Sequence, residues 1–325
     1  MNETLHRVEP GTDPGISRIT TKGGFEYRGP DGGKVSAAEL ARINALALPP
    51  AWTKVWICAD PLGHIQAVGL DADGREQYRY HERWKEDRAE HKFDKMLHLA
   101  AALPAARGRA THDLSKPAEP SHRVLAVAFR FLDDASPRVG SIEYLERYGS
   151  RGLTTLQQRD VTVAGHHVTL HFPAKSHQHD VMHMVDVDLA EAVATLLDGD
   201  PEDRLLRYRA SGDLHHLDPA EVNAYLHEIT GGPYTAKDFR TLRGTIAAAE
   251  SLARTGLVDG ETAAHRAEVA AAKAASDALQ NTPAVARSSY IDPRVFDAYR
   301  AGRLLDLGRS PDAALRDLIV AEEKH

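Results

Sequence analysis

The spacing of apolar positions changes part-way along the chain. Through the first ninety residues, the apolar runs are of strand length and bounded by turn residues. Phe25–Arg28 precedes Gly29-Pro30-Asp31-Gly32-Gly33. Val55–Cys58 and Ile65–Gly69 flank Asp60-Pro61-Leu62-Gly63, and Arg75–Tyr80 follows Asp71-Ala72-Asp73-Gly74. One helix interrupts them: Ser36 and Glu39 form a capping box that opens a run to about Leu46, and Pro49-Pro50 ends it. From Glu82 onward the period is helical. Phe93, Met96, Leu97 and Ala100 share one face of a helix over Glu82–Leu103. The Pro, Ala, Gly and Arg residues of Leu103–Pro120 predict a mobile connection, after which Ser121 caps a helix to about Leu132. Three strand-like runs then follow together, Asp160–Val163, His166–Phe172 and Val181–Val187. The tight turn Ala164-Gly165 and a longer turn from Pro173 to Asp180 join them into a meander. Helices are predicted near 188–196, 218–230, 235–255, 261–280 and 310–321.

These elements predict an α+β protein of two domains. A small, mainly β domain covers residues 1–90, and a larger, mostly α-helical domain with a three-stranded meander covers 91–325. The boundary falls near Tyr80–Arg88. A chain of 325 residues suits two domains, and 42% apolar residues suffice for a real core. A short disordered N-terminus is expected. No stretch approaches the ~18 consecutive apolar residues of a membrane span, and the opening residues lack the apolar core of a secretory signal. A cytoplasmic protein without a membrane partner is expected. Cys58 is the only cysteine, which excludes an internal disulfide and a zinc site of the CxxC type.

Charge changes this picture only when its distribution is read. The net charge of −7 argues against a nucleic-acid partner. Yet seven acidic residues and no Lys or Arg lie between Asp186 and Asp203. Seven Lys or Arg lie between Arg75 and Lys95, interleaved with Tyr78, Tyr80, His81, Trp84 and Phe93. An acidic back with a basic face permits DNA binding. Six acids share the basic stretch, however, and charge alone favours a salt-bridged, solvated helix there.

Four local patterns could supply phosphoryl transfer without a metal. Such a reaction needs a nucleophile, fixed donors for the charge on the nonbridging oxygens, and a proton for the leaving oxygen. Arginine suits the second task and lysine the third. The first pattern is Arg138-Val139-Gly140, followed by Tyr144 and then Gly152-Leu153-Thr154-Thr155-Leu156. The second is Lys175, in the turn after Phe172-Pro173-Ala174. The third is Lys237-Asp238-Phe239-Arg240-Thr241, continuing to Thr245. The fourth is Asn281-Thr282-Pro283 with Tyr290 seven residues after the proline.

In this order, over about Leu48 to Leu307, the patterns resemble the type IB DNA topoisomerases, in particular the small poxvirus-like class with bacterial members. Leu48-Pro49-Pro50-Ala51-Trp52 and Gln77-Tyr78-Arg79-Tyr80-His81, with Trp84, are similar to the N-terminal segment of the bacterial members. The resemblance implies a monomeric two-domain clamp around duplex DNA, acting in the nucleoid without ATP, metal or other cofactor. It implies Tyr290 as the nucleophile that forms a 3′-phosphotyrosine, Arg138 and Arg240 as phosphate ligands, and Lys175 as the general acid. Many relatives carry His where this chain has Asn281. An amide donates the same hydrogen bond without needing protonation. Lys237 is a secondary candidate, and Tyr78, Arg79, Tyr80, Arg83 and Trp84 are candidate DNA contacts of the N-terminal domain.

Each residue also has a plainer reading. A lone tyrosine or arginine is usually packing or solvated surface. Asn281-Thr282-Pro283 reads as a helix start, with Asn as cap. A tyrosine recombinase uses related chemistry but normally carries His-x-x-Arg where this chain has Lys237 to Arg240. A noncatalytic DNA-binding module would bind without a covalent adduct. His166, His167, His171, His177, His179 and His183 crowd the meander in a spacing that suits zinc, but no carboxylate or cysteine completes a ligand set. No Gly-x-x-x-x-Gly-Lys-Ser/Thr loop for ATP occurs.

Overall fold

The computed structural model describes residues 4–174 and 178–320, with the backbone alone over 85–90. The chain gathers into two compact units that divide between His91 and Lys92.

The first unit is built on an antiparallel sheet of β1 (Gly15–Thr21), β2 (Gly24–Arg28), β3 (Thr53–Cys58), β4 (Ile65–Leu70) and β5 (Glu76–Tyr80), in the order β2-β1-β3-β4-β5. Ile16, Val55, Ile57 and Ala67 form a small core with Ile43 from helix α1 (Ala37–Ala45). The capping box opens α1 as predicted: the Ser36 hydroxyl accepts from Glu39 N at 3.2 Å, and the Glu39 carboxylate accepts from Ser36 N at 2.8 Å. Arg42 ties the helix to the sheet through Gln66 Oε1 (2.8 Å) and the Cys58 carbonyl (2.7 Å). Strand β1 had no alternating signal, and pairing with β2 and β3 makes it a strand. The expected disordered N-terminus is corrected from His6 onward. His6 exchanges backbone hydrogen bonds with Leu62 and His64, and Val8 N donates to His64 Nδ1 at 3.0 Å.

The second unit starts inside helix α2 (Glu82–Ser115). It continues through α3 (Pro120–Asp134), α4 (Ile142–Tyr148), a meander of β6 (Val161–Ala164), β7 (His167–Pro173) and β8 (His179–Val185), and α5 (Val187–Ala194). A hairpin of β9 (Arg207–Ala210) and β10 (Asp213–His216) comes next. Then follow α6 (Pro219–Thr230), α7 (Ala236–Thr255), α8 (Glu261–Leu279), α9 (Pro283–Ser289), α10 (Arg294–Arg300) and α11 (Pro311–Val320). The meander forms in the expected order. Val168, Leu170, Phe172, Met182 and Met184 face the core, while His167, His171, His179 and His183 alternate to the exposed face. Phe129 of α3 meets Phe239 of α7 edge to face, ring centroids 5.8 Å apart.

The predicted mobile stretch Leu103–Pro120 is corrected. Helix α2 runs through Pro104 and Gly108 to Ser115. Leu103, Ala106, Ala110 and Leu114 recur every three or four residues and are all buried. Their burial outweighs the lost hydrogen bond at Pro104 and the flexibility of Gly108. Arg107 adds a fork to Asp133 (2.7 and 2.9 Å) and a bond to Asp312 (2.5 Å), fixing α2 against α3 and α11. Helix α3 begins at Pro120 with Glu119 as N-cap, two residues earlier than a Ser121 cap would place it.

This part of α2 can be tested by stability. A Cβ on Gly108 meets nothing within 4 Å. Gly108→Ala should therefore stabilise the protein by about 0.5–1 kcal/mol, as expected for a helix interior. Leu103→Ala should destabilise it by about 2–5 kcal/mol. Urea denaturation of the intact protein checks both, and indifference to both would return the stretch to a loose connection.

Candidate active site

Arg240 organises the site. It lies in the first half of α7, whose start is fixed by Asp238: the Asp238 carboxylate accepts from Thr235 N (2.8 Å), Thr235 Oγ1 (2.9 Å) and Lys95 Nζ (2.7 Å). One turn of α7 then buries Phe239 and Arg240 together. Arg240 is only 4% exposed, yet among the described residues no carboxylate pairs with its guanidinium. Nη1 donates to the Ser136 carbonyl at 2.6 Å and Nη2 to the Leu279 carbonyl at 2.9 Å. Nε is buried without a partner among the described residues. Both acceptors lie at helix C-termini, just beyond α3 and at the last residue of α8, where carbonyls lack helical partners and carry partial negative charge. Burial and the nearby charge of Arg138 push the Arg240 guanidinium below its ordinary pKa, while Tyr290 and Asp180 pull the other way.

Arg138 reaches the same helix end from another loop. Its Nη2 donates to the Gln280 carbonyl at 3.3 Å, and its Nη1 lies 3.4 Å from Asp180 of β8. Asp180 is 2% exposed, and burial raises its carboxyl pKa against the pull of Arg138 and Arg240. The Arg138 backbone is pinned by the Gly152–Leu156 run. Leu153 N donates to Arg138 O (2.8 Å), and Thr154 N and Oγ1 donate to Val139 O (2.9 and 3.0 Å). A Cβ on Gly152 would sit 2.6 Å from Arg138 O and 2.7 Å from the Gly140 backbone. The Gly-Leu-Thr-Thr-Leu run is thus a mould for the arginine loop.

Asn281 follows Gln280 out of α8. Its N–H donates to Ser276 O at 3.1 Å and its carbonyl accepts from Ser276 Oγ at 2.6 Å. Both polar atoms of its amide are buried without a partner among the described residues. Its reading as a helix cap is corrected: Thr282 caps α9, its hydroxyl accepting from Val285 N at 3.3 Å. Tyr290 stands at the end of α9, its N–H on Ala286 O at 2.9 Å. The Arg240 guanidinium carbon lies 5.2 Å from the centre of its ring. Gly244, one turn beyond Arg240, permits this approach. A Cβ there would sit 2.8 Å from the Tyr290 carbonyl oxygen and 3.1 Å from its Cβ.

Three predicted side chains therefore converge, Arg138, Arg240 and Tyr290, and Asn281 follows directly on the helix end that Arg138 and Arg240 hold. Lys237 is exposed on the turn of α7 before Arg240. Lys175 lies outside the described residues. Of the residues that flank it, Ala174 N donates to Gln178 O (2.7 Å) and Ala174 O accepts from Ser150 Oγ (3.1 Å). Sequence reasoning missed Asp180, Ser136, Ser276 and Lys92. Lys92 Nζ donates to the Ser289 carbonyl at 3.0 Å, and burial and the charge of Lys237 lower its pKa. In the first unit, Tyr78 and Tyr80 stack with ring centroids 5.9 Å apart. Arg79 donates to Ala47 O at 3.2 Å, Arg83 N to His81 Nδ1 at 3.2 Å, and Trp84 packs edge-on to His64. The rings of His171 and His179 are 5.1 Å apart, and among the described residues no group of three or more His, Cys, Asp or Glu is arranged to hold a metal ion. No helix of the described residues is long and apolar enough to cross a membrane.

Comparison with known proteins meets this geometry. Residues 24–71 match the family described as bacterial DNA topoisomerase IB, N-terminal domain. Residues 81–298 match the eukaryotic DNA topoisomerase I catalytic core. The DNA topoisomerase 1B of Acanthamoeba polyphaga mimivirus is 28% identical over 277 residues, covering 82% of this chain and 82% of the viral protein. The catalytic-core match spans more than half of the chain and contains the whole cluster around Arg240, so this protein belongs to the type IB DNA topoisomerases.

Proposed function

We propose that this DNA topoisomerase relaxes supercoiled duplex DNA by cutting one strand with Tyr290 and resealing it, without ATP or metal. The Tyr290 hydroxyl oxygen attacks the scissile phosphorus and loses its proton to solvent. The bond to the 5′-oxygen breaks as the bond to tyrosine forms, leaving a 3′-phosphotyrosine. Lys175 gives its proton to the departing 5′-oxygen. While that end is free, the downstream duplex rotates. The 5′-hydroxyl then attacks the phosphotyrosine and gives its proton back to Lys175, the bond from phosphorus to the tyrosine oxygen breaks, and Tyr290 leaves and regains its proton from solvent. One phosphodiester is exchanged for another, so resealing needs no external energy.

The observation that carries this reading is a buried cationic pocket with open donors. Arg240 is held by two backbone carbonyls and by Tyr290, with no carboxylate bonded to it among the described residues, and its Nε and the Asn281 amide have no partner of their own there. Leaving such groups buried and unpaired costs about 1–3 kcal/mol each, and a phosphate oxygen would satisfy the two donors, Arg240 Nε and Asn281 Nδ2. Arg138 and Arg240 would bind the nonbridging oxygens, and Asn281 would donate to one of them. Lys237, exposed beside Arg240, would contact the flanking backbone. The first unit would close on the duplex as the other half of a clamp, a single protomer sufficing. Tyr78, Arg79, Tyr80, Arg83 and Trp84 would contact the backbone there, and most contacts would be to phosphates.

Three outcomes test the assignment. Supercoiled plasmid incubated with the protein in chelator without ATP, then stopped with detergent, should carry protein on a 3′ end. Tyr290→Phe should bind DNA and give neither adduct nor relaxation. An adduct on another tyrosine, or on a 5′ end, would remove Tyr290 from its role.

Lys175→Ala should slow cleavage by about 10²–10⁴-fold, the usual scale of general acid catalysis. A substrate with sulfur at the 5′-bridging position has a leaving group that needs no proton. Cleavage of that substrate by Lys175→Ala should recover most of its rate. A defect that persists there would leave Lys175 a binding residue.

Asn281→Ala should slow cleavage and resealing together by about 10²–10³-fold, as loss of a fixed transition-state donor does. Its DNA affinity should change little. Asn281→His should restore substantial activity and add a pH dependence near ~6.5, where imidazole titrates. Because Thr282 holds the cap of α9, single-turnover rates of folded Asn281→Ala report on the amide itself. A rate near that of the unaltered enzyme would sink its role.

A further inference from the structure

The proposed chemistry uses Arg240 on one helix and Tyr290 on the chain after another, and it needs both in fixed phase. Thr245, five residues beyond Arg240, is fully buried. Its hydroxyl oxygen lies 2.8 Å from Thr241 O, 3.1 Å from Tyr290 O and 3.1 Å from Asp292 N. A hydroxyl has one proton and two lone pairs. It therefore accepts the Asp292 N–H and donates to one of the two carbonyls. Thr241 O already serves the hydrogen-bond ladder of α7. Tyr290 O is at the end of α9, where helical carbonyls lack an N–H partner. The proton is better placed on Tyr290 O.

We propose that Thr245 is the positioning residue of the nucleophile: its hydroxyl clips the backbone on both sides of Ile291 to α7 and so sets Tyr290 against Arg240. The proposal rests on Tyr290 being the nucleophile. Three further features make the clip rigid. Ile291, between the two clipped groups, is 2% exposed. Gly244 brings the α7 backbone against the Tyr290 carbonyl, where a methyl group would not fit. The buried Asp292 carboxylate is held by the Arg294 guanidinium at 2.8–3.1 Å, which also bonds Asp94 at 2.9 Å. The backbone of the nucleophile is thereby fixed, and only the tyrosine side chain remains to turn toward phosphorus.

The test compares Thr245→Val, which keeps the shape and removes the hydroxyl, with Thr245→Ser, which keeps the hydroxyl. Single-turnover cleavage and resealing by Thr245→Val should both slow by about 10- to 100-fold, the scale of a small displacement of a reacting group. DNA affinity should be unchanged, and Thr245→Ser should stay near the unaltered enzyme. The 5′-bridging sulfur substrate should not restore the Thr245→Val rate, because the defect is on the attacking side. A folded Thr245→Val that cleaves normally overturns the proposal, and so does recovery on the sulfur substrate. If Thr245→Val does not fold, Thr245→Ser against Thr245→Ala carries the test, and equal rates overturn it. The unaltered protein serves as the control: if it forms no adduct through Tyr290, the reading of the reaction fails rather than the clip.

Discussion

Burying the Arg240 charge without a carboxylate is the constraint around which the second unit is arranged. A lone buried cation costs several kcal/mol. The protein offsets that cost with the C-terminal ends of two helices, turning the Ser136 carbonyl after α3 and the Leu279 carbonyl of α8 onto one guanidinium. Bringing the chain round at those ends requires left-handed backbone at non-glycine residues. Ser136 has φ 50° and Gln280 has φ 50°. Such residues are strained by roughly 1–2 kcal/mol each. Local bonds oppose this: Ser136 Oγ donates to Leu132 O at 2.7 Å, and the turn after Gln280 is closed on both sides by Ser276. Carbonyl dipoles stabilise the cation but do not neutralise it. A carboxylate in their place would compete with phosphate. A buried acid nearby, Asp180, faces the more exposed Arg138 instead, at a long 3.4 Å.

How much of this was legible follows from which atoms do the holding. The motif residues announced themselves because the resemblance rests on their side chains: Arg240 and Tyr290 lie together, and Arg138 reaches the same helix end. Ser136 and Leu279 contribute only carbonyls, which every residue has, so no composition or pattern could single them out. Gly244 and Gly152 matter for a missing Cβ, and their partners lie far along the chain. Asp180 sits in a strand whose alternation marks it as inward-facing, yet an inward carboxylate has no meaning until Arg138 is placed beside it. At the level of the fold, the capping box of α1 and the alternation of the meander are local signals, and both forms appeared. Helix α2 was cut short by Pro104 and Gly108 because their local cost is visible in sequence and the buried stripe that opposes it is not. The hairpin of β9 and β10 was missed because Arg207–Ala210 and Asp213–His216 hold few apolar residues to alternate.

The acidic balance of the chain also resolves locally. The run from Asp186 to Asp203 is largely paired within the second unit. Asp186 meets Arg130 at 3.1 Å, Asp198 and Asp203 share Arg207 at 2.9 and 2.6 Å, and Glu202 meets Arg159 at 2.8 Å. At the other end, Arg75 is occupied by Asp71 at 3.0 Å and Lys95 by Asp238 at 2.7 Å, both acids outside the stretch rather than among the six that share it. What a DNA phosphate meets is the local field, which decays within about a Debye length. A net charge of −7 spread over 325 residues therefore places little restriction on a pocket whose nearest charges are Arg138, Arg240 and Asp180.

Fixed donors suit a reaction that must run equally well in both directions. In the proposed transesterification, substrate and covalent intermediate are both phosphodiesters, and the transition states of cutting and resealing place the same charge on the same nonbridging oxygens. Donors held by the fold, rather than recruited by one substrate, lower both barriers alike and leave the balance between cut and sealed DNA to the DNA itself. In that reading the buried guanidinium and the Asn281 amide would be donors of this kind, since helix ends and Ser276 set the backbone around them. The group that must move is the tyrosine side chain, and its backbone is fixed to the same helix that carries Arg240. In the proposed reaction, a nucleophile whose backbone is fixed in this way would lose less entropy on reaching the transition state and would keep the broken end beside the groups that reseal it.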